Sequence, residues 1–170
     1  LRPAYMRALF AWRQQQGRAL YPDANGTLLV SFGKVDGFSP RDGVQYTPFT
    51  TLGGVLEKHT GEEPFALAPA LLEAMRDPGQ RWVESGSGQV PVNFLADGDS
   101  SGGNSGSPMV NARGELVGIN FDRVWENVAG DFGFNPALSR NISVDVRYLL
   151  WNLERVERAE ELLQELGLAR

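Results

Sequence analysis

The chain of 170 residues contains no cysteine. That excludes disulfides, thiol catalysis and cysteine-bound metal together. It leaves the compartment open, because an exported protein need not carry disulfides. Histidine occurs once, at His59, so a metal site built on several histidines is excluded as well. No stretch approaches the ~20 consecutive apolar residues of a membrane span; the least charged stretches are broken by Gly, Thr and Pro. There is no basic excess either. Sixteen Lys and Arg against 21 Asp and Glu give a formal charge of −5, the wrong sign for a surface that binds nucleic acid. Internal repeats and low-complexity tracts are missing. The chain opens Leu1-Arg2-Pro3, without an initiator Met or a secretory signal, and reads as a piece of something longer. No metal or organic cofactor is implied.

What is present is an ordinary globular balance, with 42% hydrophobic and 22% charged residues, which argues against a disordered chain. Twenty Gly and ten Pro make it rich in turns and tilt the expectation toward β structure. Residues 4–18 read as a packing helix carrying Leu9, Phe10 and Trp12, ended near Gly17. Residues 27–32 are strand-like, and Ser39-Pro40-Arg41-Asp42-Gly43 is turn chemistry. A further short strand is expected within 44–52, then a polar loop over 53–63. Leu67, Leu71, Leu72 and Met75 repeat at helical spacing over 65–76, and Asp77-Pro78-Gly79 stops them. Val90 to Leu95 alternates like a strand, with Pro91 marking an edge or a bulge. Met109 to Asn111 and Glu115 to Phe121 form a hairpin around Gly114. One more strand is expected over 137–145, and then a single long helix over 144–168 with a leucine-rich stripe.

The run Asp99-Ser100-Ser101-Gly102-Gly103-Asn104-Ser105-Gly106-Ser107-Pro108 carries the chemistry. A nucleophilic serine must project from a tight turn among small neighbours, and two backbone amides must converge where a carbonyl oxygen becomes negative. Gly103, two residues before Ser105, lets the chain bend so that its amide and the serine amide point the same way. Gly106-Ser107-Pro108 then leads back into a strand. This hexapeptide resembles the nucleophile loop of chymotrypsin-fold serine peptidases, whose common form is Gly-Asp-Ser-Gly-Gly-Pro. Met109-Val110 and Leu116-Val117-Gly118-Ile119 match the hairpin that follows it in that fold.

The likeness narrows further. Tyr21-Pro22-Asp23-Ala24-Asn25, Thr50-Thr51-Leu52-Gly53-Gly54, Gly102 to Pro108 and Ile142-Ser143-Val144-Asp145-Val146-Arg147-Tyr148 together resemble the family typified by bacterial dipeptidyl peptidases 7 and 11. Ser100-Ser101 departs from the Ile-Thr more usual there. The resemblance implies a mainly β fold with flanking helices: the C-terminal part of a chymotrypsin-like double β-barrel into which a helical domain is inserted. Residues 1–20 would be a helix left from that insertion, 21–143 a partial trypsin-like barrel with a short helix near 65–76, and 144–170 a long C-terminal helix. It also implies peptide substrates with free N-termini, a parent enzyme exported to the periplasm or cell envelope, and a possible homodimer.

A serine hydroxyl needs a base, normally a histidine held by an aspartate. His59 lies in the charged run Glu57-Lys58-His59-Thr60-Gly61-Glu62-Glu63 and reads as a surface residue. In the family both partners lie in an N-terminal half that this chain lacks, so the 170 residues alone are expected not to hydrolyse peptides. The strand after the hairpin, Gly118-Ile119-Asn120-Phe121-Asp122-Arg123, forms one wall of the specificity pocket in this fold. The Arg123 guanidinium would present forked donors to a carboxylate and select Asp or Glu before the scissile bond, and arginine stands here in the family branch that cleaves after acidic residues. The bland alternative is a strand arginine paired to Asp122 or Glu126. By resemblance, Asp122 binds the α-amino group of the substrate. Asp99 offers a competing reading, because an aspartate at its offset selects Lys or Arg in trypsin. Two other classes stay open: an HtrA-like endopeptidase fragment, and a non-catalytic peptide-binding or assembly module.

Overall fold

The structure, a computed structural model, describes residues 1–17, 26–131 and 133–168. Tyr21 to Asn25, one of the four matching segments, lies outside the described residues, as does the expected boundary between residues 20 and 21. The centre is an open antiparallel sheet. Its strands are β3 (Phe49–Thr51), β4 (Pro91–Ala96), β5 (Pro108–Val110), β6 (Leu116–Arg123) and β7 (Asn141–Asp145), in the order β3-β4-β7-β6-β5. A separate hairpin pairs β1 (Phe38–Arg41) with β2 (Val44–Tyr46) around Asp42-Gly43. Among the described residues five α-helices accompany these strands: α1 (Arg2–Gln15), α2 (Leu52–Lys58), α3 (Pro69–Arg76), α4 (Val146–Arg155) and α5 (Glu160–Glu165). The expected mainly β architecture with flanking helices is present, and among the described residues the sheet does not close into a barrel.

The elements explain their own boundaries. α3 starts at Pro69 rather than at residue 65. Proline suits the first helical turn, but it pushes the residue before it out of helical conformation, and Ala68 is extended (φ −60°, ψ 141°). Pro91 opens β4, pairing with Thr51 of β3 but with no residue of β7, and it marks the bulge that was one of the two expectations for it. The register against β3 shifts at this point, and that irregularity accommodates the missing amide donor. Residues 52–58 form α2 where a polar loop was expected. Gly53 packs closely against Gln89: its amide donates to Gln89 Oε1 (3.1 Å), and a Cβ there would lie 2.8 Å from the same oxygen.

The segment 27–32 forms no strand. Among the described residues only Val35 bridges the sheet, opposite Ala96, and Leu28 and Phe32 are left exposed. The long C-terminal helix is two helices. Arg158 turns left-handed (φ 51°) between them, while the amide of Ala159 donates to Leu153 O (2.9 Å). This bend redirects α5 so that Leu163 is buried. The last expected strand begins at Asn141, because residues 135–139 turn on a bond from the Ser139 amide to Asn135 O (2.7 Å).

The main apolar core lies between β4 and the helices α2, α3 and α4: Leu52, Ala74, Val90, Val92 and Trp151. Trp151 is fully buried, stacks on Tyr148 at 5.8 Å and donates its Nε1 hydrogen to Pro78 O (3.0 Å). A second buried region holds Arg140 beneath β1. Its guanidinium donates to the carbonyls of Gly37, Pro136 and Ser139 and lies over the Phe38 ring at 5.5 Å. Each hydrogen bond offsets part of the cost of burying that charge.

Candidate active site

The turn that carries Ser105 bridges the end of β4 to β5. Gly103 (φ 98°) and Gly106 (φ 86°) take left-handed backbone on either side of the serine, where other residues are strained. Asn104 closes the turn from inside: its Oδ1 accepts from the Ser101 amide (2.8 Å), and its own amide donates to Ser101 O (3.2 Å). β6 supports the turn from below through Asn120, which is buried. The Asn120 side chain donates to Asn104 O (3.2 Å), its carbonyl accepts from the Gly106 amide (2.8 Å), and its amide donates to Ser107 O (2.9 Å).

Ser105 is exposed at the tip, and its hydroxyl donates to Phe121 O (3.2 Å). That carbonyl is available because the β6–β7 register shifts between Asn120 and Asp122, leaving Phe121 out of the ladder. The amides of Gly103 and Ser105 have no hydrogen-bond acceptor among the described residues. Neither a histidine nor a carboxylate is hydrogen-bonded to the Ser105 hydroxyl among those residues. His59 follows the end of α2, where its Nδ1 accepts from the Leu67 amide (3.1 Å), so it serves the 59–67 loop.

Asp122 and Arg123 end β6. Asp122 is exposed, and its Oδ1 accepts from the Arg123 amide (2.8 Å). The Arg123 guanidinium pairs with neither Asp122 nor Glu126. It forms a fork with Asp131, from Nη1 to Oδ1 (2.8 Å) and from Nη2 to Oδ2 (3.1 Å). This bond holds the Asp131 carboxyl below its ordinary range, outweighing the opposing effect of burial. Asp99 is half-buried. Desolvation pushes its carboxyl up, while Arg123 and Arg13 pull it down. Asp99 also lines an open cavity of about 370 Å³, together with residues 29–32, Ser100, Ser101 and Asn104.

The structure therefore gathers Gly103, Ser105, Asp122 and Arg123 along β6 and the turn above it, and leaves His59 elsewhere. Reading the sequence missed Asn120, Asn104 and Asp131. Asn120 and Asn104 looked like ordinary polar positions. Asp131 lies in a loop beyond any strand pattern, with no periodic signal to single it out.

The chain is 41% identical to an Asp/Glu-specific dipeptidyl-peptidase of Shewanella putrefaciens, over 99% of its own length and 26% of the relative's. It is 38% identical to a dipeptidyl-peptidase 7 of Phocaeicola vulgatus, over 98% of this chain and 23% of that one. Its fold matches the crystal structure of Porphyromonas endodontalis DPP11 in complex with the dipeptide Arg-Asp, with a TM-score of 0.83 and 38% identity over 95% of this chain and 23% of that one. The chain spans about a quarter of the length of the curated relatives it matches. A family model covering residues 1–168 agrees with the serine turn, the sheet beneath it and the solved fold: the chain belongs to the peptidase S46 family.

Proposed function

We propose that this chain is the nucleophile-bearing C-terminal part of a serine dipeptidyl peptidase. It releases dipeptides from free peptide N-termini and prefers Asp or Glu before the scissile bond. The observation that carries the reading is the Ser105 turn, where an exposed hydroxyl neighbours two amides that have no acceptor among the described residues. Ser105 Oγ attacks the second peptide carbonyl. The amides of Gly103 and Ser105 take the oxyanion, the leaving amine departs with a proton, and water hydrolyses the dipeptidyl ester. The base that receives the serine proton comes from the rest of the polypeptide, so the 170 residues alone are inactive.

In this reading Arg123 receives the acidic side chain, and Asp122, exposed beside it, receives the substrate's ammonium group. Asp99 is a poor selector of basic residues. Burial already disfavours its charged form, and it acts within reach of the Arg123 charge. Support for a covering partner, the remainder of the polypeptide or a second copy, comes from the exposed apolar side chains of α1 and residues 28–32. Export to the periplasm or cell envelope belongs to the same proposal.

The test is a panel of dipeptidyl substrates given to the full-length enzyme. Cleavage after Asp and Glu should exceed cleavage after Arg, Lys and Leu, and N-blocked peptides should resist. Ser105→Ala should lower turnover by roughly 10⁶-fold. Retained activity in that variant, or equal cutting of blocked peptides, would defeat the proposal.

A further inference from the structure

The Arg123 guanidinium carries five N–H donors, and Asp131 takes one from each terminal nitrogen. The Nε–H and the outer hydrogens of the terminal nitrogens have no acceptor among the described residues. The Nε/Nη2 edge thus presents a second parallel donor pair beside the one already occupied. The Arg123 side chain as a whole is three-quarters buried, with 24% of it exposed.

The loop that delivers Asp131 is built closely. Asn127 is buried, its Oδ1 accepts from the Ser139 hydroxyl (2.9 Å), and its carbonyl accepts from the Gly130 amide (2.9 Å). At Gly130, the residue just before Asp131, a Cβ would stand 2.4 Å from Asn127 Oδ1. A side chain at this point would push the buried Asn127 aside, so the backbone that leads into Asp131 is held by packing.

Two effects of Asp131 on an incoming acidic side chain oppose each other. Its negative charge repels the newcomer, but the Asp131 side chain is 45% exposed and water screens it. Its fork removes the rotational freedom of a long side chain, which otherwise must be lost when substrate binds. An arginine stays charged without help, so what Asp131 supplies is orientation.

We propose that Asp131 is a positioning residue for substrate recognition: it clamps one edge of Arg123 so that the Nε/Nη2 edge faces the carboxylate of the substrate residue before the scissile bond. This rests on the reading of Arg123 as the acid selector. Asp131 touches neither substrate nor reacting atoms and acts only through Arg123.

The experiment compares Asp131→Asn, Asp131→Glu, Gly130→Ala and Arg123→Ala in the full-length enzyme, on dipeptidyl substrates carrying Asp, Glu or Leu before the scissile bond. Asp131→Asn is expected to raise KM for the Asp and Glu substrates about tenfold, to leave kcat within about twofold, and to leave the Leu substrate unchanged. Asp131→Glu should recover part of the loss, and Gly130→Ala should resemble Asp131→Asn. The unchanged Leu substrate reports that the variant is folded. If Arg123→Ala removes the acidic preference while Asp131→Asn leaves KM and selectivity intact, the positioning role is overturned and the Arg123 reading stands. If Asp131→Asn lowers KM for acidic substrates, the carboxylate is a competitor and the proposal also fails. If Arg123→Ala keeps the acidic preference, the underlying reading of Arg123 is wrong. Should Asp131→Asn and Gly130→Ala lose the Leu activity too, partial rescue of the Asp/Leu selectivity by Asp131→Glu supports the proposal, and no rescue overturns it.

Discussion

Trp151 and Trp12 are the same residue type in helices of one chain, yet the first is fully buried and the second 50% exposed. Trp151 meets a sheet face already lined by Val90 and Val92, and the neighbouring helices α2 and α3 close over it with Leu52 and Ala74. Trp12 stands on α1, which buries none of its residues. Phe10 and Tyr5 on the same helix are more than half exposed, as are Leu28 and Phe32 just beyond it. The contrast teaches that an apolar side chain contributes only where another element supplies the opposing surface. It also locates the serine turn. The cavity beside Asn104 lies at the seam, with the loop 99–104 that leads into the serine on one side and the exposed segment 29–32 on the other.

The contrast can be broken most sharply at Trp151. Trp151→Ala should cost about 3–5 kcal/mol of unfolding free energy; a loss below 1 kcal/mol in denaturant titration would mean that this core is not the one holding the sheet. A smaller effect is expected at the start of α4. The Asp145 carboxylate is buried, caps the helix by accepting from the Arg147 amide (2.8 Å), and pairs with the Arg147 guanidinium (2.7 Å). Asp145→Ala should cost roughly 1–2 kcal/mol, and a neutral result would show that the cap is dispensable.

Asp99 sharpens the view of the seam. Its folded carboxyl titrates higher than the unfolded one, so its charged form works against folding. That penalty is absent below the ordinary carboxylate range, grows as pH rises toward the folded pKa, and is complete above it. Asp99→Asn should therefore be at least as stable as the parent at neutral pH, with the gap closing as pH falls. A variant that is less stable at neutral pH would contradict the sign. The smallest effect belongs to Trp12→Ala, expected within about 0.5 kcal/mol in the 170-residue chain. A larger loss there would mean that α1 is covered after all.

What the sequence could settle by itself is local. The turn around Ser105 was legible because left-handed backbone needs glycine and a projecting hydroxyl needs small neighbours, both demands met within six consecutive residues. The β5–β6 hairpin and the stop after α3 were legible for the same reason. The start of α3 was misplaced although Pro69 marks it, because the apolar spacing began earlier. α2 was hidden by its two glycines, whose cost is offset at Gly53 by a side chain 36 residues away. The bend between α4 and α5 had no local marker, since Arg158 adopts its left-handed backbone for the sake of burying Leu163.

Tertiary structure alone decided the rest of the candidate site. Asn120 comes under the serine turn only when β5 and β6 pair. Phe121 offers its carbonyl only because the register slips beside β7, and Asp131 reaches Arg123 only through a loop threaded past Asn127. Each of these depends on contacts between residues distant in the chain, and such contacts are set by packing and register rather than by the preferences of any short segment.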